Sequence, residues 1–198
     1  MILGITGGIS TGKTSAASVV AGFGVRIVDA DAISHYLAGY EPSVLAAIHE
    51  HFGGQVFHPY GALDRQALAE IVFADEQERA ALEDILHPPI TAVLRANVEW
   101  ATVSGNPLVV VAPLLIEASL TSLAGRLWVV SCSPERQLER LCAKTGLSPE
   151  QATRRIEAQM PLEQKKKHAD TVIENDGTLE ELNETVAREW NALFATHA

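Results

Sequence analysis

The chain reads as an α/β protein, a parallel sheet covered by helices, and three observations predict this. A short apolar run, Met1-Ile2-Leu3-Gly4-Ile5-Thr6, leads directly into Gly-Gly-Ile-Ser-Thr-Gly-Lys-Thr at residues 7–14, and a helical pattern follows. Residues 108–112 are apolar without alternation, which suits a strand covered on both faces. Strand-like and helix-like stretches then alternate to residue 193, the pattern of parallel strands joined by crossover helices.

Taken in order, residues 2–6 form the first strand and residues 12–23 the first helix, with Gly24 as the glycine that ends it. Residues 25–29 (Val-Arg-Ile-Val-Asp) read as strand two, and residues 32–37 as a short helix. From 43 to 104 the pattern is mainly helical. Val44, Leu45, Ile48 and Phe52 recur at helical spacing, as do Leu68, Ile71 and Val72, and then Leu82, Ile85 and Leu86. His87-Pro88-Pro89 is where that helix is expected to break or kink, before the pattern resumes over 90–103. No strand pattern appears here, so this stretch is a helical insertion between strands two and three.

Strands three and four occupy residues 108–112 and 127–132. Ser133-Pro134 supplies an N-cap and a proline at the first helical position, and Ser148-Pro149 repeats the device with Gln151 placed for a capping box. Residues 171–174 form a short fifth strand. Thr178 with Glu181 caps the last helix, whose Leu179, Leu182, Val186, Trp190 and Leu193 make one apolar stripe.

At 198 residues and 47% hydrophobic content, the chain suits one compact domain with room for a small appendage. The longest apolar stretch, 108–116, is too short to cross a bilayer and is interrupted by Pro113. No export signal pattern opens the chain. Cys132 and Cys142 lack metal-ligand spacing and read as buried thiols, so a cytoplasmic location is expected. The formal net charge of −10 opposes nucleic-acid binding. Nine of the fifteen cations nevertheless crowd into residues 126–167 against five glutamates, a basic segment suited to a small polyanion.

Residues 7–14 carry the most specific chemistry. A G-x-x-x-x-G-K-T loop between strand and helix cups the polyphosphate of a nucleoside triphosphate in its backbone N–H groups, at the positive end of the helix dipole. Gly8, Ser10, Thr11, Gly12, Lys13, Thr14 and Ser15 are the candidate nucleotide-binding residues, Lys13 reaching the β- and γ-phosphates. The Thr14 hydroxyl is the candidate Mg²⁺ ligand, with phosphate oxygens and water completing the shell.

Further candidates surround this loop in the expected sheet. Asp29 and Asp31 end strand two, where a carboxylate could take a proton from an attacking hydroxyl or hold Mg²⁺ through water. Arg136, Arg140 and Lys144 share one helix face, and Arg154 and Arg155 follow. Guanidinium groups there could close over the triphosphate. Glu117 follows strand three near the same crevice, and His87 stands before two prolines. Lys165-Lys166-Lys167 reads as a solvated run. His49 and His51, two apart, point to different helix faces and make no metal pair.

These residues together resemble the dephospho-coenzyme A kinase family nearly end to end. The phosphate loop is followed by Asp29-Ala30-Asp31, Leu63-Asp64-Arg65 with Val72-Phe73, Leu86-His87-Pro88 and Pro113-Leu114-Leu115-Ile116-Glu117. Gln137-Leu138-Glu139-Arg140, Arg155-Ile156 with Ala158-Gln159, Ala169-Asp170 with Val172-Ile173, and Asn175-Asp176-Gly177 complete the series in family order. The resemblance implies a P-loop NTPase-type core of five parallel strands, formed by residues 1–31, 107–135 and 166–198. It also implies a helical substrate domain at 32–106 and a mobile lid at 136–165. It implies ATP-dependent phosphorylation of the ribose 3′-hydroxyl of dephospho-CoA, the last step of coenzyme A synthesis. Lys13, Asp31 and Arg140 become the candidate catalytic residues, Asp31 as base and Arg140 from the lid. Asn175 joins Arg140 on the ATP side, and Asp31, His87, Glu117 and Arg155 are the candidate acceptor-binding residues.

The chain departs from the family pattern at Ser10-Thr11, where Gly then Ser is usual, and at Lys144 and His35, where arginine is common. ATP and dephospho-CoA are thus the expected partners of a monomer that binds neither nucleic acid nor membrane. The alternatives are a kinase for a nucleoside monophosphate or shikimate, or a non-catalytic nucleotide switch. No Asn-Lys-x-Asp guanine-recognition sequence is present.

Overall fold

The computed structural model describes residues 1–195. In chain order its regular elements are β1 (Ile2–Gly7), α1 (Lys13–Ala21), β2 (Arg26–Asp29), α2 (Ala30–Tyr40), α3 (Pro42–Phe52), α4 (Arg65–Ala74) and α5 (Glu76–Ser104). After these come β3 (Leu108–Val111), β4 (Arg126–Ser131), α6 (Pro134–Thr145), α7 (Pro149–Glu157), α8 (Leu162–Lys166), β5 (Thr171–Glu174) and α9 (Leu179–Ala195). The five strands form one sheet in the order β2-β3-β1-β4-β5, every pair parallel. The expected α/β class and five-strand count hold.

Two compact units share the chain: Met1–Asp29 with the chain from Asn97 onward, and Ala30–Ala96. In the first, alternate strand residues face α1 and α9. Leu3 and Ile5, Val109 and Val111, Trp128 and Val130, and Ile173 pack with Ala16, Ala17, Val20, Leu182, Val186 and Trp190. The opposite residues of β3, Leu108 and Val110, are also fully buried, so the sheet is covered on both faces. Gly4 is needed on that second face, because a Cβ would stand 2.8 Å from Leu115 Cδ2.

Two capping boxes close helix starts as the spacing predicts. The Gln151 backbone N–H donates to Ser148 Oγ while the Ser148 N–H donates to Gln151 Oε1. Thr178 and Glu181 exchange the same pair of bonds. Ser133 caps α6 through its carbonyl, which accepts from the Gln137 N–H, and not through its hydroxyl. In the apolar stripe of α9, Leu182, Val186 and Trp190 are buried, but Leu179 is exposed.

The second unit is helical around one apolar cluster that includes Leu37, Val44, Ile48, Phe52, Val56, Leu63, Leu68 and Val72. Two expectations are corrected here. The helix after strand two starts at Ala30 and runs to Tyr40, longer at both ends than 32–37. Of the break or kink expected at Pro88-Pro89, the break does not occur: α5 runs as one 29-residue helix. The prolines deprive the Asp84 and Ile85 carbonyls of their helical donors. Asp84 is exposed and can turn its carbonyl to water, while Leu82, Ile85, Leu86 and Ile90 pack against the cluster and hold both sides of the weak point together.

Candidate active site: the phosphate loop and its clamps

β1 lies between β3 and β4, so chain connections leave it toward opposite edges of the sheet. Its C-terminal end is the reversal point where open α/β sheets bind ligands. The loop of residues 7–14 starts there. Gly7 has φ 148° and Gly12, the N-cap of α1, has φ 102°. Side chains are excluded at both. A Cβ on Gly7 would run into the Val130 carbonyl oxygen, and one on Gly12 into the Asn175 side-chain amide. Ser10 also takes a left-handed φ, 59°, and its buried hydroxyl has no hydrogen-bond partner. A non-glycine residue in this region costs about 1–2 kcal/mol. That is the physical price of a serine at this point of the loop.

Inside the loop, Lys13 is buried, and its Nζ donates to the Gly8 carbonyl at 2.6 Å and the Gly7 carbonyl at 3.2 Å. The Thr11 hydroxyl donates to the same Gly8 oxygen at 2.9 Å. Thr14, in the first turn of α1, is exposed, and Ser15 is half-buried.

Three amide side chains grip the loop from outside. Asn175, buried just beyond β5, donates through Nδ2 to the Thr11 carbonyl at 2.8 Å. Gln137 of α6, also buried, donates through Nε2 to the Ile9 carbonyl at 2.8 Å. Gln159, beyond the end of α7, accepts from the Ile9 N–H at 2.9 Å. Arg140, one turn after Gln137, donates to the Asn175 carbonyl at 2.8 Å.

Electrostatics around Arg140 are set by neighbours at the strand ends. Burial pushes the Cys132 thiol above its ordinary range, and the adjacent Arg140 guanidinium opposes that rise. Asp176 is held below the usual aspartate range, chiefly because its carboxylate accepts the Ser133 N–H at 2.7 Å.

A second cluster lies after β3. Lys165 is completely buried, with Nζ 2.6 Å from both Glu117 Oε1 and the Pro113 carbonyl oxygen. The Met160 N–H also donates to Glu117, at 3.3 Å, and the Thr6 hydroxyl donates to Pro113. The reading of 165–167 as a solvated run is therefore wrong for Lys165. Lys166 pairs with Glu163 and Glu174, and Lys167 alone is exposed.

The candidate residues from Gly8 to Ser15 thus lie on one continuous loop and helix start, with Asn175 bonded to the loop and Arg140 to Asn175. Glu117 is engaged by Lys165 and Met160, and Arg155 is half-buried on α7. Asp29 closes β2. Asp31 and His87 belong to the helical unit, Asp31 exposed in the first turn of α2 and His87 half-buried within α5. Gln137, Gln159 and Lys165 were not among the expected site residues. The two glutamines stood inside family-like blocks, which was the one signal that pointed to them.

A phosphate loop at the reversal point of a five-stranded parallel sheet defines a P-loop nucleotide-binding protein of the kinase type. Solved structures agree in fold: the shikimate kinase of Acinetobacter baumannii has a TM-score of 0.58 at 14% identity, covering 99% of this chain and 94% of its own. The dephospho-CoA kinase of Campylobacter jejuni has a TM-score of 0.74 at 24% identity, over 100% and 98%. The family model for dephospho-CoA kinase matches residues 1–181. Dephospho-CoA kinase of Gloeobacter violaceus is 41% identical over 187 residues, 94% of this chain and 90% of that protein. The enzyme of Bacillus cereus is 38% identical over 197 residues, 98% of each. The chain belongs to the dephospho-CoA kinase family.

Proposed function

We propose that this protein transfers the γ-phosphoryl group of ATP to the ribose 3′-hydroxyl of dephospho-CoA, forming coenzyme A. The single observation that carries the reading is the phosphate loop with its buried lysine, in a chain of this family. On ATP binding the Lys13 ammonium exchanges the Gly7 and Gly8 carbonyls for phosphate oxygens, which carry more charge. The loop N–H groups hold the phosphates in line with the acceptor.

Asp31 orients the acceptor hydroxyl and takes its proton. A sugar hydroxyl has a high pKa and gains from such a base, whereas a nucleoside monophosphate acceptor is already ionised. Arg140 releases the Asn175 carbonyl and meets the charge developing on the transferred group, with Arg155 beside the acceptor. His87 and Glu117 contribute to the acceptor side, Glu117 through the segment it anchors. Residues 136–165 act as the lid and residues 32–106 as the acceptor domain.

The donor set fits Mg²⁺. Thr14 offers one exposed hydroxyl oxygen, and no group of three or more His, Cys, Asp or Glu able to hold a metal occurs among the described residues. Such a site keeps phosphate oxygens and water as the remaining ligands. When bound, the ion neutralises charge on the β- and γ-oxygens. We further infer a cytoplasmic protein that binds no nucleic acid, a reading supported by two free cysteines and the net charge of −10. No helix among the described residues is long and apolar enough to cross a membrane.

The test is ADP release from ATP with a panel of acceptors, using Lys13→Ala as the blank. Dephospho-CoA should stimulate release, while nucleoside monophosphates and shikimate should not. Stimulation by one of the others would replace the acceptor, and tight ATP binding with no stimulation would favour a nucleotide switch.

A further inference from the structure

We propose that Gln137 and Gln159 are positioning residues that hold the crest of the phosphate loop in its phosphate-receiving form. The proposal rests on the ATP-binding reading above and deepens it.

Both backbone polar groups of Ile9 are taken by side-chain amides from distant parts of the chain. The carbonyl accepts from Gln137 Nε2 at 2.8 Å, and the N–H donates to Gln159 Oε1 at 2.9 Å. Planarity of the trans peptide turns these contacts into an orientation device. In one peptide unit the C=O and the following N–H point in opposite directions. Pinning the Ile9 carbonyl outward onto Gln137 therefore turns the Ser10 N–H the other way, into the loop. Asn175 does the same one step on, since its bond to the Thr11 carbonyl turns the Gly12 N–H inward. Gln159 holds the peptide before these two, so the Ile9 N–H is committed outside the nest.

The surroundings are built for this contact. Gln137 is buried to 4% exposure, so its amide has little solvent to compete for it. A Cβ on Gly8 would lie 2.5 Å from Gln137 Nε2, so a side chain there would displace that amide from its present position. Gln159 is fixed by its neighbour, the Met160 N–H that donates to Glu117. Ser10 gives the grip a purpose. A serine at φ 59° has a strained backbone and an unpartnered buried hydroxyl, so the loop needs external bonds to keep this shape without ligand.

The test compares Gln137→Met, Gln159→Ala and the double variant with the unmodified protein. Calorimetric ATP affinity without acceptor, kcat, both KM values and thermal midpoint are measured. Gln137→Met should weaken ATP binding by about 10- to 100-fold and Gln159→Ala by about 3- to 10-fold, the scale of one lost hydrogen bond to an orienting group. The KM for dephospho-CoA should stay within twofold. Because both bonds hold one residue, the double variant should lose less than the product of the single losses.

Gln159 is only half-buried, so its variant reports even if Gln137→Met fails to fold. Unchanged ATP affinity in Gln159→Ala would overturn the proposal. So would a loss confined to the thermal midpoint or to the acceptor KM. If the unmodified protein bound ATP but ignored dephospho-CoA, the acceptor assignment would fall, while the calorimetry would still decide the role of the glutamines.

Discussion

Every buried polar or charged residue among those described belongs to the sheet-containing unit: Thr6, Thr11, Lys13, Ser131, Gln137, Lys165 and Asn175. The unit of residues 30–96 buries apolar side chains, Phe52 among them, while Tyr36, Tyr40, Tyr60 and Phe73 are exposed. The difference teaches how each region keeps its shape. Apolar packing is non-directional and tolerates adjustment. Buried hydrogen bonds fix angles as well as distances, and leaving one unmade costs more than making it gains. A site that must align N–H groups with a phosphate needs the second kind of order.

Five substitutions break or sharpen this contrast. The largest effect is expected from Arg140→Ala, which removes the guanidinium proposed to meet the developing charge. Turnover should fall about 10³- to 10⁵-fold in steady-state kinetics, and near-normal turnover would remove Arg140 from the chemistry. Asp31→Asn probes whether the helical unit also supplies chemistry. Its turnover should fall about 10²- to 10⁴-fold while calorimetric ATP affinity is kept. Loss of ATP binding instead would give Asp31 a metal-holding or structural role.

Lys165→Met removes the buried cation of the ion pair and leaves Glu117 with only the Met160 N–H and the Pro113 carbonyl with only the Thr6 hydroxyl. Denaturant titration should show a loss of about 3–5 kcal/mol. Ile48→Ala is the matching cut in the apolar cluster of the other unit, where Ile48 is fully buried. It should cost about 2–5 kcal/mol of stability yet leave turnover per folded molecule unchanged. A drop in turnover there would erase the distinction between the two units.

The smallest effect concerns pH. The folded pKa of Asp176 is depressed by the Ser133 N–H, so its bond is fully stabilising above the unfolded value of about 3.9. That stability is lost as pH falls through the depressed folded value. Asp176→Asn should therefore flatten the acid limb of stability slightly and change little at pH 7, as thermal midpoints across the range would reveal. An unchanged acid limb would make the bond energetically silent.

Most of the fold was legible because its signals are local. The strand, loop and helix around residues 7–14 announce themselves within a few residues, as do both capping boxes and the unbroken apolar strand at Leu108–Val111. What escaped depends on contacts far apart in the chain. Gln137 and Gln159 meet Ile9 across 128 and 150 residues, and nothing beside a glutamine in sequence records that. Lys165 shares a run with two other lysines, but only the fold reveals that one of the three is enclosed. The continuity of α5 was hidden because proline propensity is local, while the packing that overrides it is tertiary.

The strand order also governs when this protein becomes competent during synthesis. β1 leaves the ribosome before both of its neighbours, strands that begin at Leu108 and Arg126. At about 5–20 residues per second, the nascent strand waits roughly 5–25 s for them. The cluster of the inserted helices draws on residues 33–90 and is complete on the emerging polypeptide shortly before that. The phosphate loop, made before both strands that flank β1, is thus among the last parts to take its final form, and nucleotide cannot be captured until β3 and β4 have followed it.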